Sequence, residues 1–199
     1  MVAIVDYGVG NLFSLQSSFA AICAEVTVTA DKEALEKADC ILLPGVGAFE
    51  DAAKKLRDSG LDKTLKELAA KGKPLMGICL GMQLLFEKSY EYGEHEGLGL
   101  LKGQVVGMSG RLPQGLKIPQ MGWNALKLCK GAKLLQEGSF VYFVHSFYAE
   151  NCDDSLAAVT DYGIPITAAV EKDNIFGCQF HPEKSGNTGL AILRRFCEV

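Results

Sequence analysis

Apolar positions in the first eighty residues follow two rhythms. Short unbroken runs such as "VAIV", "CILL" and "PLMGI" read as strands buried on both faces, while the stretches between them repeat apolar residues at helical spacing. "VAIVDYG" gives a strand, a glycine loop "GVGN" follows, and an amphipathic run extends from Leu12 to Ala24. "EVTVTA" is strand-like, and "DKEALEKAD" is a short helix opened by Asp31. "CILLPG" is a buried strand ending at Pro44-Gly45, and residues 49–72 are helical, split near Ser59-Gly60. After "PLMGI" a helix begins near Leu80, with Leu84, Leu85 and Phe86 serving the core.

The second half changes character. "LLKGQVVGM", "SFVYFVHSFYAE", "SLAAVTDY", "ITAAVEKD" and "IFGCQF" read as strands joined by short turns, partly antiparallel. "EYGEHEG" (91–97) reads as a polar loop, and a helix from Thr188 to Cys197 follows the last strand. The expected fold is α/β: an open, mainly parallel sheet flanked by helices, with additional antiparallel strands in the second half, in a single domain spanning 1–199. Ligands of such sheets bind beyond the carboxyl ends of the strands, where "DYGVGN", "PGVGAF" and "GICLGMQ" fall.

Composition narrows the function classes. A length of 199 residues, 48% hydrophobic and 22% charged, suits an ordinary globular core. The net charge of −4, without an arginine stripe or interleaved aromatics, points away from nucleic acid and anionic membranes. The opening "MVAIVDYG" lacks a basic leader, and no apolar run reaches the ~20 residues of a membrane span, so a soluble cytoplasmic protein is expected. The seven cysteines (Cys23, Cys40, Cys79, Cys129, Cys152, Cys178, Cys197) are odd in number and never spaced C-x-x-C, which suits small buried thiols in a reducing compartment. No metal and no cofactor is expected, since His95, His145 and His181 show no ligand spacing.

One thiol stands apart. Cys79 sits on a strand–G-x-C-x-G–helix corner, the arrangement of a nucleophile elbow, with Gly77 and Gly81 letting strand and helix pass closely. A following helix would favour its thiolate, and the Leu80 N–H would be free to donate to an oxyanion. Gln83 falls one turn beyond on the same face. The plainer alternative is a packed thiol in a βα turn. A thiol nucleophile needs a base, and "CQFHPEKS" offers His181 with Glu183 two residues on, which an extended chain would place on one face. The alternative there is a solvated turn histidine. His145, after "YFV", is a rival base or a hydrogen-bonded pocket histidine, and His95 reads as exposed.

"GICLGMQ", "HPE" and the "PGVG" loop together resemble class I glutamine amidotransferases. More narrowly, "DYGVGN", "PGVGAF", "KIPQMGWN", "FVHSFYA" and "HPEKS" are similar to the glutaminase subunits of imidazole glycerol phosphate synthases, in that order along the whole chain. The resemblance implies hydrolysis of glutamine to glutamate and ammonia, with Cys79 as nucleophile, His181 as base and Glu183 as its orienter. It implies an oxyanion hole from Leu80 and the Val46–Gly47 peptide, and substrate contacts at Gly45, Gln83, Glu91, Ser146 and Phe147. Glycines at 45 and 47 allow that peptide to flip, so the hole can be gated, although a tight βα turn explains the glycines equally. Glu91 would face the glutamine α-amino group, or else is a solvated loop acid. The implied partner is a (β/α)₈-barrel cyclase subunit, which uses the ammonia to make imidazole glycerol phosphate in histidine biosynthesis. Asn11, Met121, Trp123 and Lys184, expected on loops near the site, are candidate contacts for it. Trp123 is the single tryptophan, an interface anchor or a core filler. Rival readings are the glutaminase of another synthase such as that of pyridoxal phosphate, a cysteine protease or other elbow-cysteine hydrolase, and a catalytically inactive binding module.

Overall fold

The computed structural model describes residues 1–22, 24–129 and 132–199; Cys23, counted above among the buried thiols, lies outside them. Eight strands form the main sheet: β1 (Val2–Val5), β2 (Val26–Thr29), β3 (Cys40–Leu43), β4 (Leu75–Ile78), β9 (Lys127–Leu128), β12 (Leu156–Asp161), β13 (Pro165–Lys172) and β14 (Ile175–Cys178). Their order is β2-β1-β3-β4-β14-β13-β12-β9. The first five are mutually parallel and the remainder antiparallel. The expected α/β class, with its change of character in the second half, is the observed one.

Both faces of the parallel part are covered, which explains the unbroken apolar runs. Val2 and Ile4 pack on one side with Leu15 and Phe19 of α1 (Leu12–Ala21) and Ile192 and Phe196 of α6 (Gly186–Phe196). Ala3 and Val5 pack on the other with Leu35 of α2 (Lys32–Lys37), Leu56 of α3 (Phe49–Asp58) and Leu65 of α4 (Leu61–Ala70). Local chemistry sets the boundaries. Asp31 caps α2 by accepting the Ala34 N–H at 2.8 Å, and Gly60, at φ +73°, makes the expected break between α3 and α4. The first helix stops at Ala21, short of the Ala24 end expected from its apolar run.

Two further sheets flank the main one. β8 (Gln120–Ala125) pairs antiparallel with β10 (Phe140–His145), and β11 (Phe147–Glu150), β7 (Leu101–Gly107), β5 (Phe86–Ser89) and β6 (His95–Glu96) form the other. Three sequence expectations change here. The run 139–150 reads as one strand, but it breaks at Ser146 and passes from one sheet to the other. The helix after Cys79, α5 (Leu80–Leu84), has only five residues. Its continuation is pre-empted by distant partners: the Leu84 carbonyl accepts Leu98 N–H at 2.8 Å, and the Leu85 carbonyl accepts Leu100 and Leu101 N–H at 2.9 and 3.0 Å. Phe86 therefore turns into β5. Within "EYGEHEG", His95 and Glu96 pair with Ser89 and Lys88, so that segment is not loop throughout. Among the described residues no helix is long and apolar enough to cross a membrane.

The glycines around the corner are there for space. A Cβ on Gly81 would lie 2.0 Å from the Leu43 carbonyl oxygen, and one on Gly77 would lie 2.5 Å from the Gly81 oxygen. Both obstacles are backbone and cannot swing aside. Gly81→Ala is expected to lose about 2–3 kcal/mol of stability by overpacking, read as a lower urea midpoint; an unchanged midpoint would contradict this packing.

Candidate active site

Cys79 lies where β4 hands over to α5, with φ +55° and ψ −112°, a conformation that L residues rarely adopt. Such strain costs of order 1–3 kcal/mol and persists only when neighbours impose it. Here the Cys79 N–H donates to the Cys178 carbonyl of β14 at 2.7 Å, and the glycine packing below leaves the corner no slack. The thiol is 7% exposed and opens onto a cleft of 330 Å³. The expected elbow is present. With one short helical turn behind it, its electrostatic help comes from the first-turn N–H groups rather than from a long helix.

His181 and Glu183 do meet, although not as alternate residues of a strand. His181 is extended, and Pro182 then opens a 3₁₀ turn over Pro182–Lys184 that folds the carboxylate back onto the ring. Glu183 Oε1 lies 2.7 Å from His181 Nδ1, and the two side chains are 2% and 3% exposed. The turn is held by Ser185, whose Oγ donates to the His181 carbonyl at 2.6 Å and accepts the Tyr142 N–H at 3.0 Å. Burial works against a charge on His181, but Cys79 and Glu183 beside it push its pKa up to about 9. The charged imidazolium form of His181 is therefore favoured.

The remaining expected residues separate into groups. Val46, Gly47, Leu80, Gln83, Glu91, Ser146, Phe147 and Lys184 line the cleft with Cys79 and His181. Gly45 is not among them: it is buried beneath the corner, where a Cβ would lie 2.6 Å from the Gly81 nitrogen, so close packing alone already requires glycine there. Gly47 adopts φ +95°, a glycine conformation, and Val46 beside it is exposed. The loop is braced by Tyr7, whose O–H donates to the Pro44 carbonyl at 2.6 Å. Glu91 is no free loop acid: it accepts the Phe49 N–H at 2.8 Å, and burial pushes its carboxyl up, opposed by that bond and by His95. His95, expected to be exposed, is half-buried, its side chain 17% accessible and facing Glu50.

The candidate partner residues are not all on loops. Met121 and Trp123 lie on β8, whose strand character "KIPQMGWN" conceals behind two glycine- and proline-type breakers, while Lys184 belongs to the 3₁₀ turn and Asn11 caps α1 by accepting the Ser14 N–H. Trp123 is 53% exposed, which removes the core-filling alternative. It meets Tyr142 edge-on at 6.1 Å, and Lys184 Nζ lies 6.0 Å from that same ring.

His145 takes the blander of its two expected roles. Its Nδ1 lies 2.8 Å from the Phe147 carbonyl and its Nε2 3.1 Å from the side-chain Oε1 position of Gln120. Burial, with His181 nearby, drives its pKa down to about 4 despite the Phe147 bond. A neutral ring with its proton on Nδ1 donates to that carbonyl and offers no charge to a thiol; its Nε2 is then an acceptor, so the Gln120 amide must turn its nitrogen to the ring. Sequence reasoning missed Tyr92, exposed over Phe147, and Gln179, fully buried with Nε2 3.7 Å from Cys79 Sγ. A polar amide inside the otherwise apolar "IFGCQF" was the available signal for Gln179.

The model of the glutamine amidotransferase class-I family matches residues 3–199. The chain belongs to that family. It is 49% identical to the imidazole glycerol phosphate synthase subunit HisH of Caldanaerobacter subterraneus subsp. tengcongensis, over 100% of this chain and 98% of that one. The HisH subunit of Methanothermobacter thermautotrophicus is also 49% identical, with the same coverage. Among solved structures, a crystal structure of a glutamine amidotransferase superposes with a TM-score of 0.78 at 20% identity, covering 100% of this chain and 98% of its own. PurLQS from Thermotoga maritima gives 0.77 at 21%, covering 99% and 97%. At those identities the two structures speak for the amidotransferase fold alone.

The two buried histidines give a pH test. His145, lowered from 6.5 to about 4, binds a proton in the unfolded chain that it refuses in the folded one, so its contribution is present above about 6.5 and lost as pH falls through 4. That difference is worth roughly 3 kcal/mol. His181, raised to about 9, contributes fully below 6.5 and loses its contribution as pH rises through 9, so it adds no slope in the acid window. Urea unfolding of His145→Gln should lack the part of the pH 6.5-to-4 decline that wild type shows; identical slopes would refute a neutral buried His145.

Proposed function

We propose that this chain is the glutaminase subunit of an imidazole glycerol phosphate synthase, serving histidine biosynthesis in the cytoplasm as one domain. The observation that carries it is Cys79, held strained at the mouth of a cleft that also contains the His181–Glu183 pair. Full-length identity of 49% to HisH subunits supports the choice of synthase.

In this reading Cys79 passes its thiol proton to His181, and the resulting thiolate attacks the side-chain amide carbonyl of glutamine. The oxyanion is met by the Leu80 N–H and by the peptide around Val46–Gly47. His181 gives its proton to the departing ammonia, leaving a thioester. Water then attacks that thioester with His181 as base, and glutamate leaves as the thiol is restored. Glu183 holds the imidazole throughout and stabilises its charged form. Glu91 receives the α-ammonium, while the backbone at Ser146 and Phe147, with Gln83, fixes the rest of the substrate. Gly47 at φ +95° lets the adjoining peptide rotate with little penalty, so the oxyanion donor is open to selection by a partner. One such donor is worth about 10²–10³ in rate.

Ammonia released into water is protonated and lost, so an acceptor enzyme must cover the cleft. We assign that role to a (β/α)₈-barrel cyclase subunit, docked over Met121, Trp123, Lys184 and Asn11. The cluster of exposed Trp123 and Lys184 about the half-buried Tyr142 adjoins the cleft, since Lys184 belongs to both.

Ammonia release from glutamine, with and without the cyclase and its nucleotide ligand, tests the reading. Cys79→Ala should lower the stimulated rate by more than about 10³-fold; ammonia release that survives the substitution would sink it. Trp123→Ala should leave the isolated chain folded and weaken association with the cyclase by at least about tenfold, a hot-spot effect of more than 1 kcal/mol. Undiminished association would remove Trp123 from the interface.

A further inference from the structure

Gln179 reaches Cys79 from inside the protein. It is fully buried and does not line the cleft, yet its Nε2 lies 3.7 Å from the Cys79 sulfur. Its backbone is fixed, because its N–H donates to the Ala168 carbonyl of β13 at 2.9 Å. The residue before it supplies the carbonyl that pins the Cys79 N–H.

The direction of the side chain is also fixed, by a group two steps away. A backbone carbonyl can only accept, so Gln83 must turn Nε2, not Oε1, to the Phe147 oxygen at 3.1 Å. The second hydrogen of that nitrogen points to Gln179, 3.0 Å away, which must answer with Oε1. The Gln179 nitrogen is then the end that faces sulfur. Reversing the Gln83 amide would set its oxygen against the Phe147 carbonyl, and reversing the Gln179 amide would set its nitrogen against the Gln83 nitrogen; either leaves buried polar groups unsatisfied at about 1–3 kcal/mol each. His145 Nδ1 holds the same Phe147 carbonyl from another side, 2.8 Å away, so the start of the chain is itself anchored.

We propose that Gln179 is a further catalytic residue: its amide N–H hydrogen-bonds the Cys79 thiolate from the interior, and Gln83 is the positioning residue that keeps the donor turned to sulfur. The proposal rests on the glutaminase reading above only for the reaction served. Gln179 transfers no proton; it accepts none and releases none, and stabilises sulfur as an anion before attack and again as it leaves the thioester. A consequence follows for Gln83. Both of its amide hydrogens are committed inside the protein, so toward glutamine it offers only Oε1, an acceptor.

The test compares Gln179→Met and Gln83→Met with wild type, using iodoacetamide alkylation of Cys79 resolved by mass spectrometry, and glutamine kinetics with the cyclase present. A hydrogen bond to a charged group is worth about tenfold in rate or more. Gln179→Met, similar in length but without a donor, should slow alkylation at neutral pH about tenfold and lower kcat comparably, with KM within about threefold. Gln83→Met should slow alkylation less and raise KM as well. A packing role alone would leave alkylation unchanged or accelerate it as the thiol loosens. Folded Gln179→Met alkylated within twofold of wild type overturns the proposal. Should that variant not fold, the Gln179 side-chain amide protons decide by NMR in unsubstituted and Cys79→Ala protein: one proton must titrate with Cys79 in the former only, and identical titration in both overturns it. Slowed alkylation in a chain that releases no ammonia from glutamine would support the hydrogen bond and refute the glutaminase reading.

Discussion

Everything at the site hangs on the hydrogen bond from the Cys79 N–H to the Cys178 carbonyl. At φ +55° this residue would relax toward ordinary strand or helix geometry if left alone. The bond to β14 fixes its nitrogen, and the contact of Gly77 and Gly81 with each other and with β3 leaves the backbone nowhere to go. The strain is thus sustained by the middle of the sheet, the part of the molecule with the most buried backbone. The sulfur is held in place while the residues around it stay apolar and closely packed.

The same economy governs the histidines. His181 and His145 both line one cleft, yet their surroundings drive them in opposite directions. His181 has a carboxylate and a thiol beside it and carries charge. His145 has a carbonyl and an amide and remains neutral, becoming part of the scaffold that holds Phe147. Sequence places each of them after an apolar run. What separates them is the 3₁₀ turn at Pro182, which brings Glu183 back over its neighbour, whereas after His145 the chain leaves for another sheet.

The legibility of the fold divides along the same line. Wherever structure depends on local pattern, the sequence is explicit: the buried runs of β1, β3 and β4, the Asp31 cap, the Gly60 break and the G-x-C-x-G corner all read directly. Wherever a distant partner decides, it is silent. Phe86 leaves its helix because carbonyls at Leu84 and Leu85 are claimed by residues 98–101. Met121 and Trp123 lie in a strand only because 140–145 runs beside them. Gly45 has a packing reason that the sequence does not show, because its neighbours across the corner, Leu80 and Gly81, come from α5. Gln179 needed Gln83 and Phe147, 96 and 32 residues away in the chain, before its orientation meant anything.

The position of β14 also bears on how the molecule is made. It lies between β4 and β13 in the sheet but follows β4 by a hundred residues in sequence. During synthesis, which runs from the amino end, β4 has no neighbour on that side until residues 175–178 emerge, and an unpaired strand edge invites association with other chains. For that interval the corner lacks the carbonyl that pins Cys79, and its histidine does not yet exist. A nascent chain therefore carries an exposed sheet edge and no competent thiol. The strand that pairs with β4 is thus also the one that brings the Cys178 carbonyl and His181 to Cys79.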